Sequence, residues 1–277
     1  MRLDSHQHFW RYTANPDDFP WMTDDLAALR RDFMPDDLAP LREEVEIDGT
    51  IAVQAREMEL ETDFLLGLAN DDKSIKGVVG WVDLCAKDVE ARLDRYTGAP
   101  AFRGVRMLIH DRADPDFADS SPHLRGVGCL EPRSLTYDLL LRTVHLKAAI
   151  RLVDKLPHQR FVVDHIAKPK MDGSDRGEWE AGIRSIAERP NVSCKLSGLV
   201  TEADWSNWQT ETFGPYLDTV LDAFGTTRLM IGSDWPVCTL AASYAGAMGL
   251  VADWSRKLSP DERADVMGKN CARFYSV

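Results

Sequence analysis

Leu3-Asp4-Ser5-His6-Gln7-His8-Phe9-Trp10 opens the chain with an extended stretch carrying two histidines two residues apart. Side chains alternate between the faces of a strand, so this spacing sets both imidazoles on one side, ready to act as metal ligands or as an acid/base pair. The distant partner of this stretch is Ile231-Gly232-Ser233-Asp234-Trp235-Pro236. There a short apolar run beginning at Arg228 closes in an aspartate, the place where a buried strand gives way to an active-site loop.

Between these ends the chain alternates strand with helix. After the first strand, apolar β-branched runs predict strands over 49–54, 75–82, 102–109, 135–141, 160–165, 192–197 and 228–231. Amphipathic segments separate them, among them 88–96, a helix running to Val153, a helix from Trp179 to Glu188 that stops before Pro190, and one from a Thr201 cap to Phe224. A helix is also expected from about Leu240 to Leu258, and Ser259-Pro260-Asp261-Glu262 supplies the capping box of a last one. Eight strands alternating with helices predict a (β/α)8 TIM barrel of the α/β class, and no Gly-x-Gly-x-x-Gly follows any strand to favour an open doubly wound sheet. The residues able to do chemistry fall at the C-terminal ends of these strands: His6 and His8, Gln54 and Glu57, Arg106, His165, Lys195 and Ser197, and Asp234. That is the end at which barrel enzymes build active sites. The Pro-rich segment 11–40 is too long for a plain connector and reads as a lid or binding loop, with Trp10 and Trp21 either roofing the site or packing on the rim.

Composition narrows the function. A length of 277 residues suits one barrel, so 1–277 is read as a single domain, and 44% hydrophobic with 28% charged residues is the mix of a globular enzyme. Lys+Arg number 33 against 45 Asp+Glu, and the net charge of -12 argues against nucleic acid or an anionic membrane as partner, since both need a basic footprint. Five scattered cysteines without Cys-x-x-Cys spacing indicate neither a disulfide framework nor a thiolate zinc site. No charged-then-apolar leader precedes the first strand and no apolar run approaches a membrane span, so a cytoplasmic protein is expected.

Taken with Gly77-Val78-Val79-Gly80-Trp81-Val82-Asp83, Phe102-Arg103-Gly104-Val105-Arg106, Val163-Asp164-His165-Ile166-Ala167-Lys168-Pro169 and Cys194-Lys195-Leu196-Ser197-Gly198-Leu199, the two terminal motifs make the chain resemble the amidohydrolase superfamily. The likeness is to its branch of sugar and muconate-type lactonases related to L-fuconolactonase and L-rhamnonolactonase, and it covers essentially the whole chain. It implies a hydrolase opening a small sugar lactone such as L-fuconolactone or L-rhamnonolactone, and leaves the oligomeric state open. The superfamily's fullest pattern adds a bridging lysine on the fourth strand and a metal-binding histidine on the fifth. Here the fourth strand offers Arg106 and the fifth ends without a histidine, His145 lying beyond it, so a two-metal centre is not expected. Similar lactonases include members with one divalent ion and members needing none, which leaves two readings: one Zn(II) or other divalent ion on His6, His8 and Asp234, or a metal-independent site.

Lactone hydrolysis needs a base for water, a group that polarises the carbonyl and a stabiliser for the oxyanion. Asp234 is the candidate base, and His165 the donor to the carbonyl, with His6 and His8 acting beside it directly or through a metal. Asp164, next to His165, is expected on the opposite face of its strand. Arg106 either holds the lactone or forms an interior ion pair with Glu57 or Asp83; Glu57, Lys168 and Lys195 are candidates for substrate contacts, and Trp81 and Trp235 for stacking on a sugar ring or core packing. His110, His123, His145 and His158 are expected at the surface. The competing readings are a hydrolase of a muconate- or pyrone-type lactone, a metal-dependent decarboxylase on the same barrel, and a catalytically silent sugar-binding barrel.

Overall fold

Every expected β-rich run forms a strand in the computed structural model, which describes residues 1–277: β1 (Leu3–Gln7), β2 (Gly49–Val53), β3 (Ile75–Gly80), β4 (Phe102–Met107), β5 (Thr136–Leu139), β6 (Phe161–Val163), β7 (Val192–Leu196) and β8 (Leu229–Ile231). They pair in sequence order, each parallel to the next. Such strands are covered on both faces, which is why they read as near-continuous apolar runs. The ring closes where the two terminal motifs meet: His8 N donates to Trp235 O (2.7 Å) and Asp234 N to His6 O (2.8 Å). Asp4 stitches this seam, accepting from Ser233 N (2.9 Å), Ser233 Oγ (2.6 Å), His6 N (3.0 Å) and Tyr244 Oη (3.2 Å). The architecture is the expected (β/α)8 barrel.

Ten α-helices accompany the strands: α1 (Pro35–Glu44), α2 (Glu59–Asp71), α3 (Val89–Asp94), α4 (Ser121–Val127), α5 (Leu146–Lys155), α6 (Arg176–Ala187), α7 (Thr210–Phe224), α8 (Tyr244–Trp254), α9 (Pro260–Ala264) and α10 (Asn270–Tyr275). The Ser259 box caps α9 as its spacing predicts, with Glu262 Oε2 accepting from Ser259 N at 2.9 Å. Thr201 does not cap α7; its hydroxyl turns back to Gly198 O (3.0 Å), and the helix begins nine residues later at Thr210. The final helix plugs the barrel floor. Cys271, Phe274 and Tyr275 pack among the inward side chains Leu3, Ile51, Val53, Val79, Val162 and Met230.

The segment after β1 forms two 3-10 turns (Pro16–Asp18 and Asp24–Leu29) before α1. It is pinned over the barrel mouth by the reciprocal Trp10–Phe33 backbone bonds (3.0 Å each) and by Trp21 Nε1 donating to Ala55 O (3.1 Å).

Candidate active site

Alternation along β1 delivers what the His-x-His spacing promises. His6 Nε2 and His8 Nε2 lie 3.2 Å apart, and Asp234 Oδ1 stands 3.7 Å from the first and 3.4 Å from the second. His165 Nε2 is 3.8 Å from the same oxygen. All four side chains are buried, His6, His8 and Asp234 at the β1–β8 seam and His165 beyond the end of β6.

The turn after β6 is where alternation fails. His165, Ile166, Ala167 and Lys168 all have positive φ (52°, 49°, 63° and 47°), a left-handed run costly for residues with a Cβ. It rotates the chain so that Asp164 and His165 both reach inward, and Asp164 is therefore not on the opposite face. Its carboxylate lies 3.5 Å from His6 Nδ1, 3.0 Å from Lys195 Nζ and 3.2 Å from Arg106 Nη1. The His165 ring is seated between Ser197 Oγ, 2.9 Å from Nδ1, and Gly198, whose φ is 61° and where a Cβ would come within 2.4 Å of that nitrogen. A glycine is required there on both counts.

Above these groups opens a cleft of about 390 Å³. His8, Arg106, His165 and Asp234 form its floor, and the loops at the C-terminal strand ends form its walls. Trp10, Trp21, Asp25 and Leu26 come from the segment after β1, and His110 and Asp111 from the turn after β4. Arg142 follows β5, Lys168 follows β6, and Thr201, Glu202 and Trp205 follow β7. Trp10 and Trp21 both line the cleft, and Trp10 is also fully buried against Phe19, Trp21 and Phe33, so roofing and rim packing coincide.

Burial works to raise the Asp234 carboxyl, but His165 and His8 outweigh it and hold it below the usual carboxylate range. Burial holds His165 and His6 well below the usual histidine range, the carboxylates Asp234 and Asp164 respectively opposing it. Asp234 and His165 thus set a buried carboxylate, able to act as a base, beside an imidazole able to donate a hydrogen bond.

Several expected substrate contacts lie elsewhere. Lys195 is fully buried, held by Asp138 Oδ2 (2.6 Å) and Asp164, because an ammonium on an inner strand must be paired. Glu57 is taken by Arg112 (2.6 Å) outside the cleft lining, and Trp81 is also outside it. Trp235 is core, edge-on to Phe9 and Phe33 with centroids 6.0 and 5.4 Å away. Arg106 does line the cleft, yet its partners are Asp164 and Gln54 O (2.5 Å) rather than Glu57 or Asp83. Lys168 lines it too, with its ammonium on Glu202.

Of the four histidines expected at the surface only His158 is exposed. His145 is buried, and His123 is buried between Ala118 O (2.8 Å) and Tyr137 Oη (2.7 Å). His110 lines the cleft, where burial together with Lys168 and Arg142 pushes it down to about 2. Asp164, His110, Arg142, Glu202 and Trp205 are site residues that the sequence reading missed. Only Asp164 carried a signal, its place beside His165 at a strand end.

The side chains fit one divalent ion. Zinc bonds to nitrogen and oxygen of about 2.0–2.2 Å in a tetrahedron separate neighbouring ligand atoms by about 3.3–3.6 Å. The His6, His8 and Asp234 atoms are 3.2, 3.4 and 3.7 Å apart. His8 Nδ1 donates to Val53 O (2.7 Å), which frees Nε2 as a ligand in the way outer-shell partners do. His6, Asp164 and His165 form a second such group sharing His6.

Known proteins resemble this chain over its whole length. A family model described as Amidohydrolase matches residues 3–277. An L-fucono-1,5-lactonase of Burkholderia multivorans is 42% identical over 288 aligned positions, covering 100% of this chain and 96% of the relative. A second, from Burkholderia ambifaria, is 37% identical and covers 100% and 96%. The crystal structure of an amidohydrolase from Burkholderia multivorans with bound zinc superposes with a TM-score of 0.95 at 41% identity, covering 100% of this chain and 99% of the other.

Proposed function

Because the chain belongs to the amidohydrolase family, we propose that it hydrolyses a sugar lactone of the L-fucono-1,5-lactone type, all of 1–277 serving as one catalytic unit. The observation that carries this reading is the full-length likeness to two L-fucono-1,5-lactonases, joined to a cleft whose floor holds Asp234 beside His165.

In this reading Asp234 takes a proton from water as the oxygen attacks the lactone carbonyl carbon. With the Ser197 hydroxyl, 2.9 Å from Nδ1, as the donor, the His165 imidazole keeps its proton on Nε2 and gives a hydrogen bond to the carbonyl oxygen as charge builds there. Collapse of the tetrahedral intermediate breaks the bond to the ring oxygen, which takes the proton back from Asp234, and the product is an open hydroxy acid. One divalent ion on His6, His8 and Asp234, zinc being the candidate that the Burkholderia multivorans structure supports, would polarise the carbonyl and acidify the water.

Charge in the cleft favours a neutral, hydroxyl-rich substrate over a dicarboxylate pyrone or an aromatic acid. Arg106 is paired with Asp164, and Lys168 and Arg142 both face Glu202, the latter at 3.6 Å. Each lining cation has a carboxylate neighbour, Lys168 and Arg142 sharing Glu202, while Asp25 and Asp111 offer acceptors for sugar hydroxyls. L-Rhamnonolactone is the next candidate. A cytoplasmic setting suits the five free cysteines. The test is a panel of L-fucono-, L-rhamnono-, L-galactono- and D-glucono-lactones alongside a pyrone dicarboxylate. Turnover confined to the neutral aldonolactones supports the reading, and turnover of the dicarboxylate alone overturns it.

A further inference from the structure

Lys195 is used by none of these steps, yet its ammonium sits within 3.1 Å of His6 Nδ1, at the centre of the most deeply buried charge cluster in the barrel. Two carboxylates and a phenol hold it in place. Asp138 Oδ2 accepts from Nζ (2.6 Å) and from Tyr275 Oη (2.7 Å) on the floor plug, and Asp164 Oδ1 is 3.0 Å away. An ammonium has only donors, so the contact with His6 is a hydrogen bond only if Nδ1 presents its lone pair.

The other face of the ring makes the same demand. His8 Nδ1 is committed as donor to Val53 O at 2.7 Å, which leaves His8 Nε2 as a lone pair aimed at His6 Nε2, 3.2 Å away. With its proton on Nε2, His6 satisfies Lys195 and His8 at once and sets one donor against Arg106 Nη1 at 3.2 Å. With its proton on Nδ1, it sets one donor against the ammonium and two lone pairs against each other, gaining Asp164 Oδ1 at 3.5 Å and Arg106 Nη1 at 3.2 Å. Arg106 and Lys195 both keep carboxylate partners in either case, so the balance turns on the mismatched contacts: the Nδ1–H form leaves two, at Lys195 and His8, and the Nε2–H form one, at Arg106.

We infer that Lys195 is a positioning residue that holds His6 in the Nε2–H tautomer, and that a divalent ion at His6, His8 and Asp234 must displace that proton before it can bind. The floor plug takes part through Tyr275 and Asp138. The barrel thus carries its own brake on metal affinity, independent of which lactone is turned over.

Nitrogen-15 NMR of metal-free protein labelled at histidine reads the tautomer directly, His6 being assigned by the resonance pair missing from His6→Asn. The inference expects a protonated Nε2 and a bare Nδ1; a protonated Nδ1 overturns it. Zinc affinity, measured by competition with a chromogenic chelator, supplies the second readout. Outer-shell partners shift metal affinity by about 10–100-fold; because Lys195 opposes the metal-binding tautomer, Lys195→Met should bind zinc about tenfold more tightly than wild type, whereas Lys195→Arg, which keeps a donor, should stay within about threefold of it. Equal or weaker binding by a folded Lys195→Met contradicts the inference, and should that variant fail to fold, the wild-type spectrum decides alone.

Discussion

Gly198→Ala perturbs the candidate site through a single methyl group. At φ 61° an alanine costs about 1–2 kcal/mol of backbone strain, and its Cβ would stand 2.4 Å from His165 Nδ1 and 2.7 Å from its Cγ. Ordinary contact needs about 3.5 Å, so the ring must retreat by about 1 Å. A misplacement of that size at a reacting group costs about a hundredfold in rate. For a chain of this order the strain lowers the melting temperature by about 2–8 °C. The expected outcome is thus a folded protein, slightly less heat-stable, with kcat on a sugar lactone down about a hundredfold. Its cause is separable by a double-mutant cycle: in a His165→Ala background the same methyl group should cost no more than about threefold, because the ring it displaces is gone. Activity of Gly198→Ala within a few-fold of wild type, or full additivity with His165→Ala, would refute the claim that this glycine acts by seating His165.

Two further predictions concern stability. Asp4→Ala removes the acceptor shared by Ser233, His6 and Tyr244 at the β1–β8 seam and should cost about 3–5 kcal/mol in urea unfolding; a loss below about 1 kcal/mol would mean that the seam is held by its backbone bonds. His123 is pushed down by burial to about 4 from 6.5, so the folded state binds its proton less readily than the unfolded chain does. Its contribution is present above pH 6.5 and is lost as pH falls toward about 4, about 3 kcal/mol in all. His123→Gln should flatten the urea-stability profile across that window, and an unchanged slope would assign the acid sensitivity to other groups.

The barrel was legible because its strands are buried on both faces and its helices carry caps and proline stops, both local properties of sequence. His6, His8 and Asp234 could be read for the same reason, alternation along β1 and the end of β8 being simple to follow. Asp164 was misplaced because the rule of alternation ends where the backbone does, at the left-handed run 165–168. Lys195 reads as a candidate substrate contact, and Trp235 as either stacking or core, because nothing local says that Asp138, Asp164 and Tyr275 surround the first, or that Phe9 and Phe33 pack on the second. The cleft walls at His110, Arg142 and Glu202 come from three different strand-end loops, and their convergence is a property of the closed ring.

If Asp234 drives hydrolysis of a sugar lactone, proton release from L-fucono-1,5-lactone, followed with a pH indicator, will separate wild type from Asp234→Asn. Wild type should release acid well above the uncatalysed rate, and the variant should be slower by about a hundredfold or more. Equal rates for the two proteins, or no release above background by wild type, would contradict the account.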